Sequence, residues 1–155
     1  MSITRMPMPL APDDVFAVLA DGRSYEKWLV GCKRIRDVDS GWPAQGTRIH
    51  HRFGWGPVTT DDTTASLEVD RPRRLKLEAR ARPVGIAHVA FDIEPDGDGC
   101  VVVVREEPVS GPAKTLHNPV ADALIALRNR KSLRQLCRLA VSEAERRQRA
   151  TGGTG

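Results

Sequence analysis

Between Cys32 and Glu107 the apolar and polar positions alternate with a period of two, and beyond Asn118 the period becomes helical. The alternation predicts strands over Lys33 to Val38, Thr47 to Phe53, Val58 to Val69, Arg74 to Arg82, Ile86 to Glu94 and Cys100 to Glu107. Turn chemistry separates them: Gly-Trp-Pro-Ala-Gln-Gly at 41–46, Gly54 to Pro57, Asp-Arg-Pro-Arg at 70–73, Pro83 to Gly85, and Pro-Asp-Gly-Asp-Gly at 95–99. Connections this short between successive strands imply an antiparallel meander. The same alternation assigns faces. Ile49, His51 and Phe53 oppose Arg48, His50 and Arg52. Leu75, Leu77, Ala79 and Ala81 oppose Lys76, Glu78, Arg80 and Arg82. Ala87, Val89, Phe91 and Ile93 oppose His88, Ala90, Asp92 and Glu94. One apolar and one wet face suits a single sheet covered by helices.

The cover is predicted at both ends of the meander. Ser2 to Leu10, broken by Pro7 and Pro9, fits only an edge strand or an irregular lead-in. Ala11-Pro12-Asp13-Asp14 opens a helix with acidic residues in its first turn, and Asp21-Gly22 ends it. Ser24 is placed to cap a second short helix through Tyr25, Trp28 and Leu29. Asn118-Pro119 begins the last and longest helix, expected to reach about Glu145. Its apolar positions fall in two rows, Val120, Leu124 and Leu127, then Leu133, Leu136, Cys137, Ala140 and Ala144. The second row is rotated from the first, which implies a kink near Asn129 to Ser132 or a helix crossing a concave sheet.

Composition narrows the class. The 155 residues are 40% hydrophobic and 28% charged, an ordinary balance for one globular domain with a real core. We take that domain as residues 1–145 and residues 146–155 as a flexible basic, Gly-rich tail. The net charge of +4 is mild and owes much to Arg146, Arg147 and Arg149. With no recognition motif it points away from nucleic acid. Arg128, Arg130, Lys131, Arg134 and Arg138 read as a solvated face whose stems pack along an apolar edge. The start of the sequence has no signal-peptide pattern and no apolar run approaches a membrane span, so the expectation is a cytoplasmic protein without stable membrane insertion. Cys32, Cys100 and Cys137, without paired spacing, read as reduced small residues.

The order of elements is that of the helix-grip arrangement, and the text resembles the SRPBCC (START-like) superfamily, in particular small bacterial polyketide cyclase/dehydrase-like proteins. The resemblance is carried by Ala11-Pro12-Asp13-Asp14-Val15-Phe16-Ala17-Val18-Leu19-Ala20-Asp21, by Tyr25-Glu26-Lys27-Trp28, by the 41–46 turn, by Leu67-Glu68-Val69-Asp70-Arg71-Pro72-Arg73-Arg74-Leu75 and by Asn118-Pro119. It implies an α+β fold with a curved antiparallel sheet of about seven strands wrapped around a long C-terminal helix, and two short helices after the first strand. It also implies a cavity between sheet and helix that takes lipids, polyketides or other apolar molecules. It carries no catalytic signature, because one fold hosts many functions.

Within such a cavity His51 is the candidate catalytic group, a general base for an aldol-type ring closure, with a wall histidine satisfied by a hydrogen bond as the plainer reading. Asp61 and Thr63 share parity with Ala65, Leu67 and Val69 and are expected to enter the cavity. There Asp61 would orient His51 or pair with an arginine near the strand end. A β-bulge in this strand would invert the assignment. Tyr25, Trp28 and Trp55 read equally as pocket rim and as core anchors. The expected ligand-binding set is Trp28, Tyr25, Phe53, Thr63, Leu77, Ala79, Val89, Phe91, Leu124 and Leu127. No metal-ligand spacing, cofactor motif, phosphate loop or nucleophile elbow is present. The leading expectation is a binder of a small hydrophobic molecule, with no cofactor, no metal, no nucleic-acid partner and room for a homodimer. The alternatives are a polyketide aromatase/cyclase using His51 and a module that presents its surface to a protein.

Overall fold

A computed structural model describes residues 1–153. Seven antiparallel strands form one sheet in the order β1-β7-β6-β5-β4-β3-β2. They are β1 (Ser2–Met8), β2 (Cys32–Val38), β3 (Arg48–Trp55), β4 (Val58–Asp70), β5 (Arg74–Ala81), β6 (Gly85–Asp96) and β7 (Gly99–Ser110). The six predicted strands are all present, β2, β3 and β4 one residue longer, β5 one residue shorter, and β6 and β7 three and four residues longer, and the lead-in segment is an edge strand along β7. An edge accommodates Pro7, whose missing N–H faces no neighbour it must satisfy.

Between β1 and β2 lie α1 (Pro12–Leu19), a 3-10 turn at Gly22–Ser24 and α2 (Tyr25–Trp28). The expected capping role of Ser24 is not observed. Its hydroxyl instead donates to the Asp21 carbonyl at 2.6 Å and accepts the Trp28 Nε1 proton at 3.1 Å, tying the two short helices together. Tyr25 Oη donates to the Leu19 carbonyl at 2.8 Å, and Trp42 Nε1 reaches the same carbonyl at 3.2 Å. After β7 come α3 (Pro112–Thr115) and α4 (Pro119–Gly152). Asn118 caps α4 as expected, its side chain accepting from the Ala121 amide at 2.9 Å.

Two features of α4 differ from expectation. The helix continues past Glu145 through Gly152, because Arg146 to Ala150 are helix formers and nothing before Gly152 breaks the run. Residues 146–152 are therefore helical, and the last two residues of the expected tail lie outside the described residues. The helix is also a single element with one inward stripe: Ile125, Asn129, Ser132, Leu133, Leu136, Ala140 and Ala144, spaced by three and four. Val120, Leu124 and Leu127 are on its outer side, 63–69% exposed.

The helices α1, α2 and α4 cover the concave side of the sheet, with α4 packed on β1, α1 and α2. The core is Val15, Phe16, Leu19, Trp28, Leu75, Phe91, Ile93, Val102, Leu133, Leu136 and Ala140, all 5% exposed or less. At roughly 1.5–3 kcal/mol for each large apolar side chain removed from water, this face sets the fold. The convex face carries ion pairs, including Asp92 between Arg74 and Arg105.

Candidate functional site

The cavity's position follows from the sheet's alternation and the placement of the helices. The inward residues near the core end, Leu75, Ile93 and Val102, are buried in one cluster with residues of α1 and the second half of α4. Toward the other end the helices stand off, and a cavity of about 80 Å³ remains between sheet and α4. Its walls come from α2 and the following loop (Tyr25, Trp28, Leu29), from every strand between β2 and β7, and from Arg128, Asn129, Ser132 and Leu133 of α4.

Eight of the expected residues line it: Tyr25, Trp28, His51, Phe53, Leu77, Ala79, Val89 and Phe91. Tyr25 and Trp28 are 3% and 1% exposed with their polar atoms bonded, so they are core anchors that also form wall. Trp55, 59% exposed, stands outside against Phe53.

Four expected residues do not line the cavity. Asp61 and Thr63 face outward, while Asp62, Thr64 and Ser66 are the buried positions of β4. The cause is a register shift between Ser66 and Glu68, across which the parity of Leu67 and Val69 does not carry. The pairing of β3 with β4 agrees, setting His51 opposite Asp62 and Ile49 opposite Thr64. Asp61 lies 44% exposed in an ion pair with Arg52 at 2.9 Å and cannot orient His51. Leu124 and Leu127 fail for the reason given above: they occupy the outer side of α4.

His51 is 6% exposed, and its Nε2 is 2.9 Å from Thr64 Oγ1. Nδ1 is buried with no hydrogen bond of acceptable geometry. Burial dominates its titration and outweighs the favourable Asp62 charge, so the imidazole pKa is lowered and the ring is neutral at pH 7. The Asp62 carboxylate is itself held by Arg82, accepting from its amide at 2.9 Å and from its side chain at 3.1 Å. Burial opposes the Asp62 charge, yet the Arg82 donors prevail and its pKa is lowered. His50, turned to the other face, pairs with Asp39 at 2.9 Å. Cys32, also in the wall, is a poor nucleophile: burial, then the Glu26 charge, pushes its thiol up to about 12. Among the described residues no group of His, Cys, Asp or Glu is arranged to hold a metal ion.

The most polar part of the wall is Glu106, Asn129 and Arg128, the last of which was expected on a solvated face. Glu106, 6% exposed on β7, accepts from Arg128 Nη2 on both carboxylate oxygens, at 2.6 and 2.5 Å, and from Asn129 Nδ2 at 2.9 Å. Arg128 Nη2 also contacts Asn129 Oδ1 at 3.2 Å, while its Nε is buried without an acceptor. The alternation Cys100, Val102, Val104, Glu106 would have aimed Glu106 inward, since all four are buried. Nearby, Ser132 Oγ accepts the Val30 amide at 3.0 Å and anchors α4 to the loop after α2.

The family described as polyketide cyclase/dehydrase and lipid transport matches residues 4–141. No curated protein matches the sequence at a significant level. Among solved structures the chain is similar to protein NE0264 from Nitrosomonas europaea, at 16% identity and a TM-score of 0.68, covering 91% of this chain and 94% of that one. It is equally similar to Ara h 8.0201, at 13% identity and a TM-score of 0.68, covering 90% and 96%. The di-domain aromatase/cyclase StfQ of the steffimycin biosynthetic pathway has 13% identity and a TM-score of 0.68, with coverage of 92% of this chain and 51% of that one. At these identities the likeness shows the shared helix-grip fold. No helix among the described residues is long and apolar enough to cross a membrane.

Proposed function

The chain belongs to the polyketide cyclase/dehydrase and lipid transport family, and from that premise we propose that it binds a small, mostly apolar molecule in the cavity under α4. The observation that carries the proposal is the cavity itself, enclosed between sheet and helix and walled mainly by aromatic and aliphatic side chains. Its size bounds the occupant. About 80 Å³ is well under the roughly 300–1,000 Å³ usual for drug-sized ligands, so a single ring or short branched chain fits best. A lipid- or polyketide-sized molecule requires the cavity to widen. The first part of α4 is where it can yield, since Val120, Leu124 and Leu127 are 63–69% exposed and anchor it little.

The test is a titration with small aromatic and alicyclic probes, followed by ligand-observed NMR, on the protein and on Ala79→Phe. Ala79 lies in the cavity wall, and a phenyl ring there occupies the ligand's space. Binding by the parent and its loss in a folded Ala79→Phe protein support the reading. Equal binding by both, or by neither, ends it.

A second reading is favoured by one observation, the neutral His51 ring with an unbonded Nδ1 in the cavity wall. On this reading His51 accepts a proton from the acidic methylene between two carbonyls of a poly-β-ketone. The resulting enolate carbon then attacks a distant carbonyl to close a ring. Full turnover by His51→Gln on such a substrate would remove His51 from that role.

A further inference from the structure

The Glu106–Arg128–Asn129 cluster is an unusual component for an apolar cavity, since unpaired charge at such depth is costly. The charges present are balanced: one guanidinium and one carboxylate in contact, with His51 and Cys32 uncharged. The guanidinium is not satisfied by its partner. Among the described residues only Nη2 is engaged, with both Glu106 oxygens and Asn129 Oδ1, while Nε is buried and has no acceptor there. A guanidinium carries five N–H donors and no acceptor, so donors beyond those used on Glu106 and Asn129 remain for a ligand. Arg128 is itself part of the wall and its side chain is 23% exposed, so a ligand oxygen can approach it.

We infer that this cluster selects a neutral, carbonyl-bearing ligand and rejects the corresponding carboxylate. The inference rests on the cavity-binding reading and specifies its ligand class. A ketone, ester or amide oxygen takes the spare Arg128 donors without adding charge. A carboxylate brings a second negative charge beside Glu106, in surroundings that screen it poorly, with no further Lys or Arg among the described residues of the wall to offset it. A plain hydrocarbon fits the apolar walls but leaves the donors unpaired. The order of affinity is therefore ketone above hydrocarbon, and ketone well above carboxylate.

Acetophenone, benzoate and α-methylstyrene share one shape and differ only in a ketone, a carboxylate and a methylene group. Their affinities are measured at pH 8, where benzoate is fully ionised, by ligand-observed NMR on the parent chain, on Glu106→Gln and on the double variant Arg128→Met/Glu106→Gln. The double variant removes both charges together and avoids stranding one in the interior. Acetophenone should bind at least ten times more tightly than benzoate and several times more tightly than α-methylstyrene. In the double variant the ketone-to-alkene ratio should fall toward one. In Glu106→Gln, where the guanidinium loses its counter-charge, benzoate should gain on acetophenone. Benzoate equal to or tighter than acetophenone in the parent chain overturns the inference, as does an unchanged ketone-to-alkene ratio in the double variant. If α-methylstyrene binds and the ketone holds no advantage, the selectivity falls while the binding reading survives. If none of the three binds, both fall.

Discussion

Replacing Arg128 by Met is the perturbation that most directly probes how the cavity wall is held. Met keeps much of the stem's length and apolar contact but deletes the donor that bridges both oxygens of Glu106 at 2.6 and 2.5 Å. Glu106 then stays 6% exposed with Asn129 Nδ2 as its remaining donor. Breaking a fully buried ion pair from one side costs about 3–5 kcal/mol, chiefly because the surviving charge is left uncompensated. Arg128 is 23% exposed and Asn129 remains, so the expectation here is about 2–3 kcal/mol. For a chain of this length that lowers Tm by roughly 4–12 °C. The assay is urea unfolding at pH 7.5 of the parent, Arg128→Met, Glu106→Gln and the double variant, analysed as a double-mutant cycle. The double variant, with neither charge, should be more stable than Arg128→Met. A cost below about 0.5 kcal/mol for Arg128→Met, the level of an ordinary surface change, would refute the reasoning. So would a double variant whose loss equals the sum of the single losses, because that would mean the two groups are not coupled.

The stripe on α4 gives a paired comparison: Leu136→Ala, at a site 0% exposed, should cost about 2–5 kcal/mol, whereas Leu124→Ala, 63% exposed, should stay within about 0.5 kcal/mol by thermal denaturation. For His51, whose folded pKa lies below its unfolded value, the neutral ring is at no disadvantage above about pH 6.5. As pH falls through that value the unfolded chain takes up the proton first and stability declines. Parent protein should therefore lose more stability between pH 7.5 and 5.5 than His51→Gln does, and parallel losses would contradict the burial of the ring. Asp62→Asn should lower Tm by several times as much as Asp61→Asn, because Asp62 has a side chain 1% exposed and holds Arg82, while Asp61 sits in an open pair. The reverse order would restore the parity first expected for β4.

The alternation in β3, β5 and β6 was enough to place His51, Phe53, Leu77, Ala79, Val89 and Phe91 on the inner face, and all six line the cavity. The turn segments delimited the strands, and Asn118-Pro119 located the start of α4 because a cap is a local matter of one side chain and one backbone amide. The errors have two causes, and the first is that periodicity reports which residues share a face but not what that face meets. On α4 the more apolar-looking row at the start, Val120, Leu124 and Leu127, is the exposed one. The inward row carries Asn129 and Ser132 because a cavity wall and an anchoring loop accept polar groups that a dry core would reject. The stripe therefore seemed to rotate when it does not. The second acts on β4, where one extra residue near Leu67 reversed the parity of everything on one side of it, and no composition signal marks a bulge.

Sequence by itself thus determined the meander, the two covering segments and the inner face of the central strands, since these follow from local periods and turn chemistry. Tertiary structure decided the rest. It chose which side of α4 looks inward, because that depends on where β1, α1 and α2 stand. It also brought Glu106 of β7 against Arg128 of α4 across 22 residues of chain, a charged contact that exists only once the helix has closed over the sheet.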